Sequence, residues 1–278
     1  MRPSLVVRRA ADYLAGHHVE SPTPTAEVLL ANVLETDRVG LYTRDAELSA
    51  EEARRFGRAL CRRCAGVPLQ HLTREQGFRR LTLEVRPGVF IPRPETEIVV
   101  ERALRAIAHV DQPLVVDVGT GTGAIGLAIK DERRDARVVA IDVSPEAVAL
   151  AAANADRSGL SIDVVEGDLL EPLPNSLRGA VDLVVSNPPY VAEAAYGSLS
   201  REVQTEPYQA IIGDIELSER LFIECRAVLR GGGSAVVEIE ESRADVICAA
   251  ASAAGFVGIE VARDLAGRDR VITARVPR

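Results

Sequence analysis

Lysine is almost absent: of 33 basic residues only Lys130 is lysine, and the rest are arginine. The two are equivalent on most solvated surfaces, so this bias reflects genome composition before function. Cysteine is sparse as well. Cys61 and Cys64 form one C-x-x-C, whereas Cys225 and Cys248 stand alone. A structural zinc needs four ligands, and no second pair or neighbouring histidine completes a set. No metal site is therefore expected, and the i, i+3 spacing reads as two neighbours on one helix face. Long apolar runs are missing too: nothing approaches the ~20 residues of a membrane span. Leu5-Val6-Val7, set between arginines, is too short for the apolar core of a signal peptide. A cytoplasmic protein with reduced thiols and no membrane partner is expected. No internal repeat or low-complexity tract is visible.

What is present describes a soluble, globular chain. At 278 residues, with 47% hydrophobic and 27% charged residues, it can bury a sizeable core and is long enough for two unequal domains. The net charge of −8 disfavours a life spent mainly on the DNA backbone. That charge is uneven. Residues 1–85 hold 13 arginines against 11 acids, which leaves −10 for the remainder. Arg54, Arg55, Arg58, Arg62, Arg63, Arg74, Arg79 and Arg80 crowd together with only Glu75 among them. This is either a basic docking face or a solvated helix surface.

The first ~75 residues read as helices with short connections. Leu5 to Leu14 is one short pattern. Thr25 precedes a strongly apolar helix through Leu34. Ser49-Ala50-Glu51-Glu52 is a capping box that opens a helix to about Ala65, where Gly66 and Pro68 stop it. The period then changes. Phe78 to Phe90 alternates roughly around Pro87-Gly88, as a hairpin does. Pro94 suits the first turn of the next helix, with Glu95 and Glu97 favouring its positive end.

From residue 114 onward strands and helices alternate. Strands are expected at 114–118, 137–141, 161–165, 181–186, 233–239, 257–262 and 270–276, and helices at 123–131, 145–157, 217–229 and 242–254. Such alternation argues an α/β fold with a mostly parallel sheet covered on both faces. Only Asp264–Asp269 separates the last two strands, so they form an antiparallel C-terminal hairpin. That ending is how class I S-adenosylmethionine-dependent methyltransferases modify the Rossmann-like plan. Residues 191–216 form a polar insertion suited to gripping a substrate.

Leu114 to Gly123 reads as a strand entering a glycine turn and a helix. Glycine lets the chain turn tightly and a ligand approach the backbone, while the helix start offers unpaired N–H groups. Gly121-x-Gly123-x-x-Gly126 also satisfies the dinucleotide fingerprint, so at this point a nicotinamide dinucleotide and S-adenosylmethionine compete. Asp142 ends the second strand, where a carboxylate accepts both ribose hydroxyls of either cofactor. Asp168 at the next strand end is placed to hold an adenine amino group, and Leu169 to pack on its ring. Asp117 lies before the glycines, near where a cationic methionine portion would sit. Acids at three successive strand ends suit a sulfonium ligand without phosphates; a pyrophosphate prefers N–H donors.

The most informative stretch is Ser186-Asn187-Pro188-Pro189-Tyr190, at the end of the apolar run Val181–Val185. Each proline fixes φ and lacks an N–H, which stiffens the backbone. Asn187 Oδ1 and the Pro188 carbonyl can then accept the two N–H groups of a planar amide or amine, with Pro189 behind them and Tyr190 bounding the plane. An amide nitrogen is a poor nucleophile, so its alkylation depends on aiming the lone pair. Asn187, Pro188 and Tyr190 are thus the catalytic candidates, with Asn187 also touching the cofactor. The exocyclic amine of adenine fits the same geometry, as a flipped base would, but the acidic catalytic half argues against DNA. A non-catalytic adenosyl-ligand or dinucleotide sensor is the remaining reading.

Over nearly its whole length the chain resembles the bacterial peptide chain release factor glutamine methyltransferases, the HemK/PrmC family. The helical N-terminal region, the hairpin, Ile91-Pro92-Arg93-Pro94-Glu95-Thr96-Glu97, Asp117-Val118-Gly119-Thr120-Gly121-Thr122-Gly123 and the Asn-Pro-Pro-Tyr tetrad carry the likeness. The resemblance implies methyl transfer to the side-chain amide of the glutamine in a Gly-Gly-Gln motif of class 1 release factors. It implies that Gly119, Thr120, Gly121, Thr122, Gly123, Asp142 and Leu169 hold S-adenosylmethionine, and that Asn187 to Tyr190 hold the glutamine. The expected organisation is a substrate-docking domain over residues 1–75, a hairpin linker over 76–93 and a catalytic domain over 94–278, in a monomer with no direct nucleic-acid partner. Ribosomal-protein glutamine methyltransferases share the tetrad, while the Pro-Arg-Pro-Glu-Thr-Glu stretch favours the release-factor branch. Three places depart from the family pattern. Arg74 stands where glycine is common, Glu206–Glu216 lacks the usual later Asp-Gly, and Ile239-Glu240-Glu241-Ser242 replaces a common glycine and glutamine after Glu238.

Overall fold

A computed structural model describes every residue from Met1 to Arg278. Apolar residues recurring at helical spacing build five helices at the start of the chain: α1 (Pro3–Gly16), α2 (Pro22–Leu34), α3 (Arg38–Thr43), α4 (Ala50–Cys64) and α5 (Leu69–Thr73). α2 begins before Thr25, because Pro22 supplies the pre-set φ of a first helical turn. α4 opens on a complete capping box, Ser49 and Glu52 each bonding the other's backbone N–H. The helices enclose Leu14, Leu29, Leu30, Leu41 and Phe56. Together with Ser200–Thr205, residues Met1–Glu75 make one compact unit. Within it Arg63 is buried, donating to the Val67 carbonyl and the Glu202 carboxylate. The arginine cluster is therefore divided: Arg63 faces inward, Arg54 and Arg58 reach Glu51 on the exposed side, and Arg55 and Arg62 face solvent.

The second unit comprises Gln76–Leu199 and Glu206–Arg278. Strands β1 (Glu75–Phe78) and β2 (Leu81–Glu84) pair as a small sheet. The hairpin is thus shorter than expected from Phe78 to Phe90, and it turns at Arg79-Arg80 instead of Pro87-Gly88. Arg79 takes a left-handed φ of 53°. Glu97 accepts from its N–H at 2.9 Å, and its guanidinium forks onto both oxygens of Glu132 at 2.7 and 2.8 Å. These long-range contacts fix a turn that lacks local turn residues.

The main sheet has seven strands. After α6 (Glu97–Ala106) come β3 (Leu114–Val118), α7 (Ala124–Glu132), β4 (Arg137–Asp142), α8 (Pro145–Ser158), β5 (Asp163–Glu166) and β6 (Val181–Ser186). The insertion carries a short helix, α9 (Tyr208–Ile211); then follow α10 (Ile215–Val228), β7 (Leu229–Glu238), α11 (Ala244–Ala253), β8 (Val257–Arg263) and β9 (Asp269–Arg275). The order is β5-β4-β3-β6-β7-β9-β8. β5, β4, β3, β6 and β7 run parallel, and β9 is antiparallel to both β7 and β8. The expected C-terminal hairpin therefore folds back so that its second strand joins the sheet.

Alternation decides which residues face which layer. Leu114, Val116 and Val118 of β3 pack with Leu221, Phe222 and Ile247 of α10 and α11. Val115 packs with Val99, Val100, Leu127 and Ala128 of α6 and α7 on the other side. Burial on both faces explains the continuous apolar runs. The chain leaves β3 toward β4 on one side and returns through β6 on the other. The carboxyl ends of these strands therefore flank a crevice where the strand order reverses, the usual ligand position in open α/β sheets. No helix is long and apolar enough to cross a membrane.

Arg74, which ends α5, has a φ of 63°, in the left-handed region that favours glycine. Its side chain is exposed and makes the backbone conformation costlier than glycine would. Arg74→Gly is expected to raise stability by about 1 kcal/mol, read as a higher midpoint in urea at unchanged slope. A lower midpoint would refute this account of the turn.

Candidate active site

At the carboxyl ends of β3, β4 and β6 lies a cavity of about 240 Å³. Its floor is the glycine turn. Gly119 and Gly121 have φ values of 68° and 57°, and a Cβ added at either would meet no protein atom within 4 Å. Both line the cavity, so such a carbon would take space left for a ligand. The turn is held from beneath. Asp117 is fully buried, and its Oδ2 accepts from the Thr120 hydroxyl at 2.6 Å and the Gly126 N–H at 2.9 Å. Burial pushes its carboxyl up to about 6, against the pull of those two donors. The sequence places Asp117 near the ligand; instead it lies under the turn and lines no part of the cavity. Alternation along β3 puts it on the α7 side, so it shapes the loop through its hydrogen bonds.

Asp142 lines the cavity at the end of β4. Its Oδ2 accepts from Gly121 N at 2.8 Å and its Oδ1 from Ser144 N at 2.9 Å. Each oxygen retains a lone pair, so the carboxylate can still take the two hydroxyls of a ribose. Desolvation raises its pKa, which the backbone donors oppose. Asp168 also lines the cavity, but its Oδ2 accepts from Arg220 at 2.8 Å. Leu169 beside it adopts a φ of 45° and lines the same wall. Gly123 sets the start of α7, with a φ of 83°, and stands outside the lining.

On the opposite wall, Asn187, Pro188 and Pro189 face the cavity. The Ser186 hydroxyl donates to the Val118 carbonyl at 2.8 Å, which ties the end of β6 to the end of β3. Asn187 Nδ2 donates to Thr96 Oγ1 at 3.2 Å. Tyr190 is placed differently. Its ring is not part of the lining, and its hydroxyl donates to Glu238 Oε1 at 3.1 Å. Burial and the nearby Glu238 carboxylate push the phenol far above its ordinary range.

The insertion closes over this wall by backbone contact. Val191 pairs with Ile212, and a Cβ at Gly213 would sit 1.9 Å from the Pro189 carbonyl oxygen. Only glycine permits that approach. The buried carboxylate of Glu206 binds Arg93 and accepts from Ile91 N at 2.9 Å. The Ile91-Pro92-Arg93 stretch and the insertion are thereby joined beside the cavity, which Phe90, Pro92 and Pro207 also line.

Three contributors went unnoticed in the sequence. Asn154 on α8, fully buried, donates to the carbonyls of Thr122 and Glu84 and accepts from Glu84 N. It braces the glycine turn against β2. Thr96 lines the cavity beside Asn187, and Glu238, outside the lining, holds the Tyr190 hydroxyl. The one sequence signal for Glu238 is an acid ending the apolar run Ala235-Val236-Val237.

The donor set fits S-adenosylmethionine. No lysine or arginine lines the cavity, while Asp142 and Asp168 do. Such a wall favours a cationic sulfonium and lacks the cations that commonly meet a pyrophosphate. Comparison with known proteins agrees. Residues 6–73 match the family model described as PrmC N-terminal domain, and residues 81–206 match that described as methyltransferase small domain. A release factor glutamine methyltransferase of Deinococcus radiodurans is 40% identical over 263 residues, covering 92% of each chain. The one from Mycolicibacterium smegmatis is 38% identical over 274 residues, covering 96% of this chain and 95% of its own. Among solved structures, a ribosomal protein L11 methylase from Lactobacillus delbrueckii subsp. bulgaricus superposes with a TM-score of 0.52 at 21% identity, covering 70% of this chain and 84% of its own. A T. thermophilus 16S rRNA N2 G1207 methyltransferase in complex with AdoMet and guanosine gives 0.55 at 19% identity, covering 73% and 49%. These two share the fold.

Burial pushes the Glu238 carboxyl up to about 7 from its ordinary 4.5, against Thr96, Tyr190 and Arg270, which favour the charged form. The folded state therefore holds this proton more tightly than the unfolded chain does. Its stability contribution is fully present below about 4.5 and is lost as pH rises through about 7. Wild type should lose thermal stability relative to Glu238→Gln across that window. Parallel melting curves for the two proteins would contradict this.

Proposed function

Because the chain belongs to the release factor glutamine methyltransferase family, we propose that it methylates the side-chain amide nitrogen of a glutamine in class 1 peptide chain release factors. The glutamine is the one in their Gly-Gly-Gln motif. S-adenosylmethionine is the cofactor, and when bound it supplies an electrophilic methyl group. The observation that carries the reading is the rigid Asn187-Pro188-Pro189 wall facing a glycine-turn cavity with an acidic rim.

The residues divide the work by position. Gly119, Thr120, Gly121 and Thr122 offer backbone contact and space, with Gly123 setting the helix start behind them. Asp142 takes the ribose hydroxyls, Leu169 packs on the adenine, and Asp168, held by Arg220, borders it. Asp117 acts beneath the turn. On the other wall, Asn187 Oδ1 and the Pro188 carbonyl accept the two N–H groups of the glutamine amide, and Pro189 backs them. Tyr190, tethered by Glu238, stands outside the cavity lining.

This arrangement addresses the weakness of an amide nucleophile. Two fixed acceptors hold the nitrogen so that its lone pair points at the methyl, and orientation of this kind is worth on the order of 7–11 kcal/mol in model systems. The same acceptors favour the positive charge that develops on nitrogen. Proline and valine among the lining residues give the reacting centre an apolar surround. Residues 1–75 serve as the docking surface for the protein substrate, in the cytoplasm. The −10 balance of the rest of the chain argues against DNA.

Labelled S-adenosylmethionine incubated with the enzyme and a purified release factor should mark the Gly-Gly-Gln peptide. A ribosomal protein assayed alongside should take less label; preferential labelling of that protein, or none of the release factor, would overturn the assignment. Asn187→Ala should lower turnover at least about 10²-fold while S-adenosylhomocysteine binding, measured by calorimetry, weakens only partly. Unchanged turnover would show that Asn187 does not orient the reacting amide.

A further inference from the structure

The loop after β5 carries a backbone outlier on the cavity wall. Leu169 has a φ of 45°, in the left-handed region that strains any residue with a Cβ. It lines the cavity, whereas Leu170 is fully buried and packs into the core with Leu221 and Phe222 of α10. Strained conformations persist where their surroundings over-determine them, and they concentrate at functional sites. The contacts that hold this one come largely from α10. Glu224 Oε2 accepts from the Leu170 N–H at 3.0 Å, and Arg178 donates to the Leu170 carbonyl at 3.0 Å. One turn earlier on α10, Arg220 donates to Asp168 at 2.8 Å and lies 3.6 Å from Glu224 Oε1. At the start of the loop, the Gly167 N–H donates to the Asp142 carbonyl at 2.9 Å. Glu224 itself lines no part of the cavity.

We infer that Glu224 is a positioning residue for the cofactor, which pins the peptide after Leu169 and so holds that leucine in its left-handed turn against the adenine. The inference rests on the reading that the adenine of S-adenosylmethionine packs on Leu169. The Leu170 N–H belongs to the planar peptide unit that joins Leu169 to Leu170, so a bond to it fixes the plane on one side of Leu169. A carboxylate acceptor makes that bond stronger than a neutral one would, which suits a contact that must offset backbone strain. Without it, Leu169 is free to relax toward the right-handed or extended regions. Either change redirects its Cβ, and the wall loses its apolar surface. Arg220 links the same carboxylate to Asp168, so two neighbouring lining residues are held from one helix face.

Calorimetry with S-adenosylhomocysteine and with free adenosine tests this on wild type, Leu169→Ala, Glu224→Leu, Glu224→Gln and the variant combining Leu169→Ala with Glu224→Leu. Methyl-transfer kinetics on a release factor run in parallel. Glu224→Leu should weaken S-adenosylhomocysteine about tenfold, and adenosine by the same factor, because the lost contact is to the base. KM for S-adenosylmethionine should rise in step while kcat at saturating cofactor stays within about twofold, as for any contact made equally in ground and transition states. Glutamine at this position keeps an oxygen for the Leu170 N–H and should recover most of the affinity. The double variant should lose less than the product of the two single losses, because both act through one side chain. Full affinity in Glu224→Leu, no recovery with glutamine, independent losses in the double variant, or a fall in kcat with affinity intact would each overturn the inference. Should the leucine variant not fold, Glu224→Asp, whose shorter chain cannot keep the 3.0 Å bond, carries the same test, and undiminished affinity there overturns it too. Normal affinity in Leu169→Ala would instead overturn the placement of the adenine, and this inference with it.

Discussion

The buried carboxylate of Asp117 carries the loop on which the cofactor half of the site depends. One of its oxygens accepts from both the Thr120 hydroxyl and the Gly126 N–H, so β3, the glycine turn and the first turn of α7 are joined at a single atom. Gly126 makes the arrangement possible. A Cβ there would lie 3.0 Å from Asp117 Oδ2 and 3.2 Å from a Val138 methyl, so a side chain would force these neighbours to give by a few tenths of an ångström. With α7 held close, Gly119 and Gly121 turn their open sides to the cavity. The burial that raises the Asp117 pKa to about 6 is the energetic cost of placing a charge-capable acceptor under a loop.

The second wall is built on a different principle. Asn187-Pro188-Pro189 gains rigidity from proline, and its carbonyls are shaped by what packs behind them. Gly213 reaches the Pro189 carbonyl closely, Arg243 donates to the Gly213 carbonyl at 3.0 Å, and Glu206 ties the insertion to Arg93 and Ile91. Each contact links segments far apart in the chain. The wall is therefore fixed by the fold of the second unit, whereas the glycine turn is fixed by β3 and its own helix.

Electrostatics separates the two ligand halves. The cavity carries acids on its cofactor side and no cationic side chain at all, which suits a positively charged methyl donor. Behind the substrate side, Glu238 is offset by Arg270, which is itself held by Asp264.

Local chemistry made much of this legible in the sequence. The β3 turn is a strand–glycine–helix pattern within about ten residues, the capping box at Ser49 is four residues long, and the tetrad follows one apolar strand. Alternation of strands and helices revealed the sheet and its C-terminal pair. Reading failed where partners are distant. The hairpin turns at Arg79-Arg80 because Glu97 and Glu132 hold it, not because of its own residues. Asp117 lies beneath its loop, and Tyr190 lies behind the cavity. Thr96 and Asn187 meet across 91 positions, and Tyr190 and Glu238 across 48. Which segments become turn, strand and amide-binding wall was already written in the order of the residues, because φ restriction, glycine and periodicity act within a few positions. Which polar groups face the ligand, and which hold those that do, was set by the folded layers, because side-chain direction at a strand end depends on what packs against it.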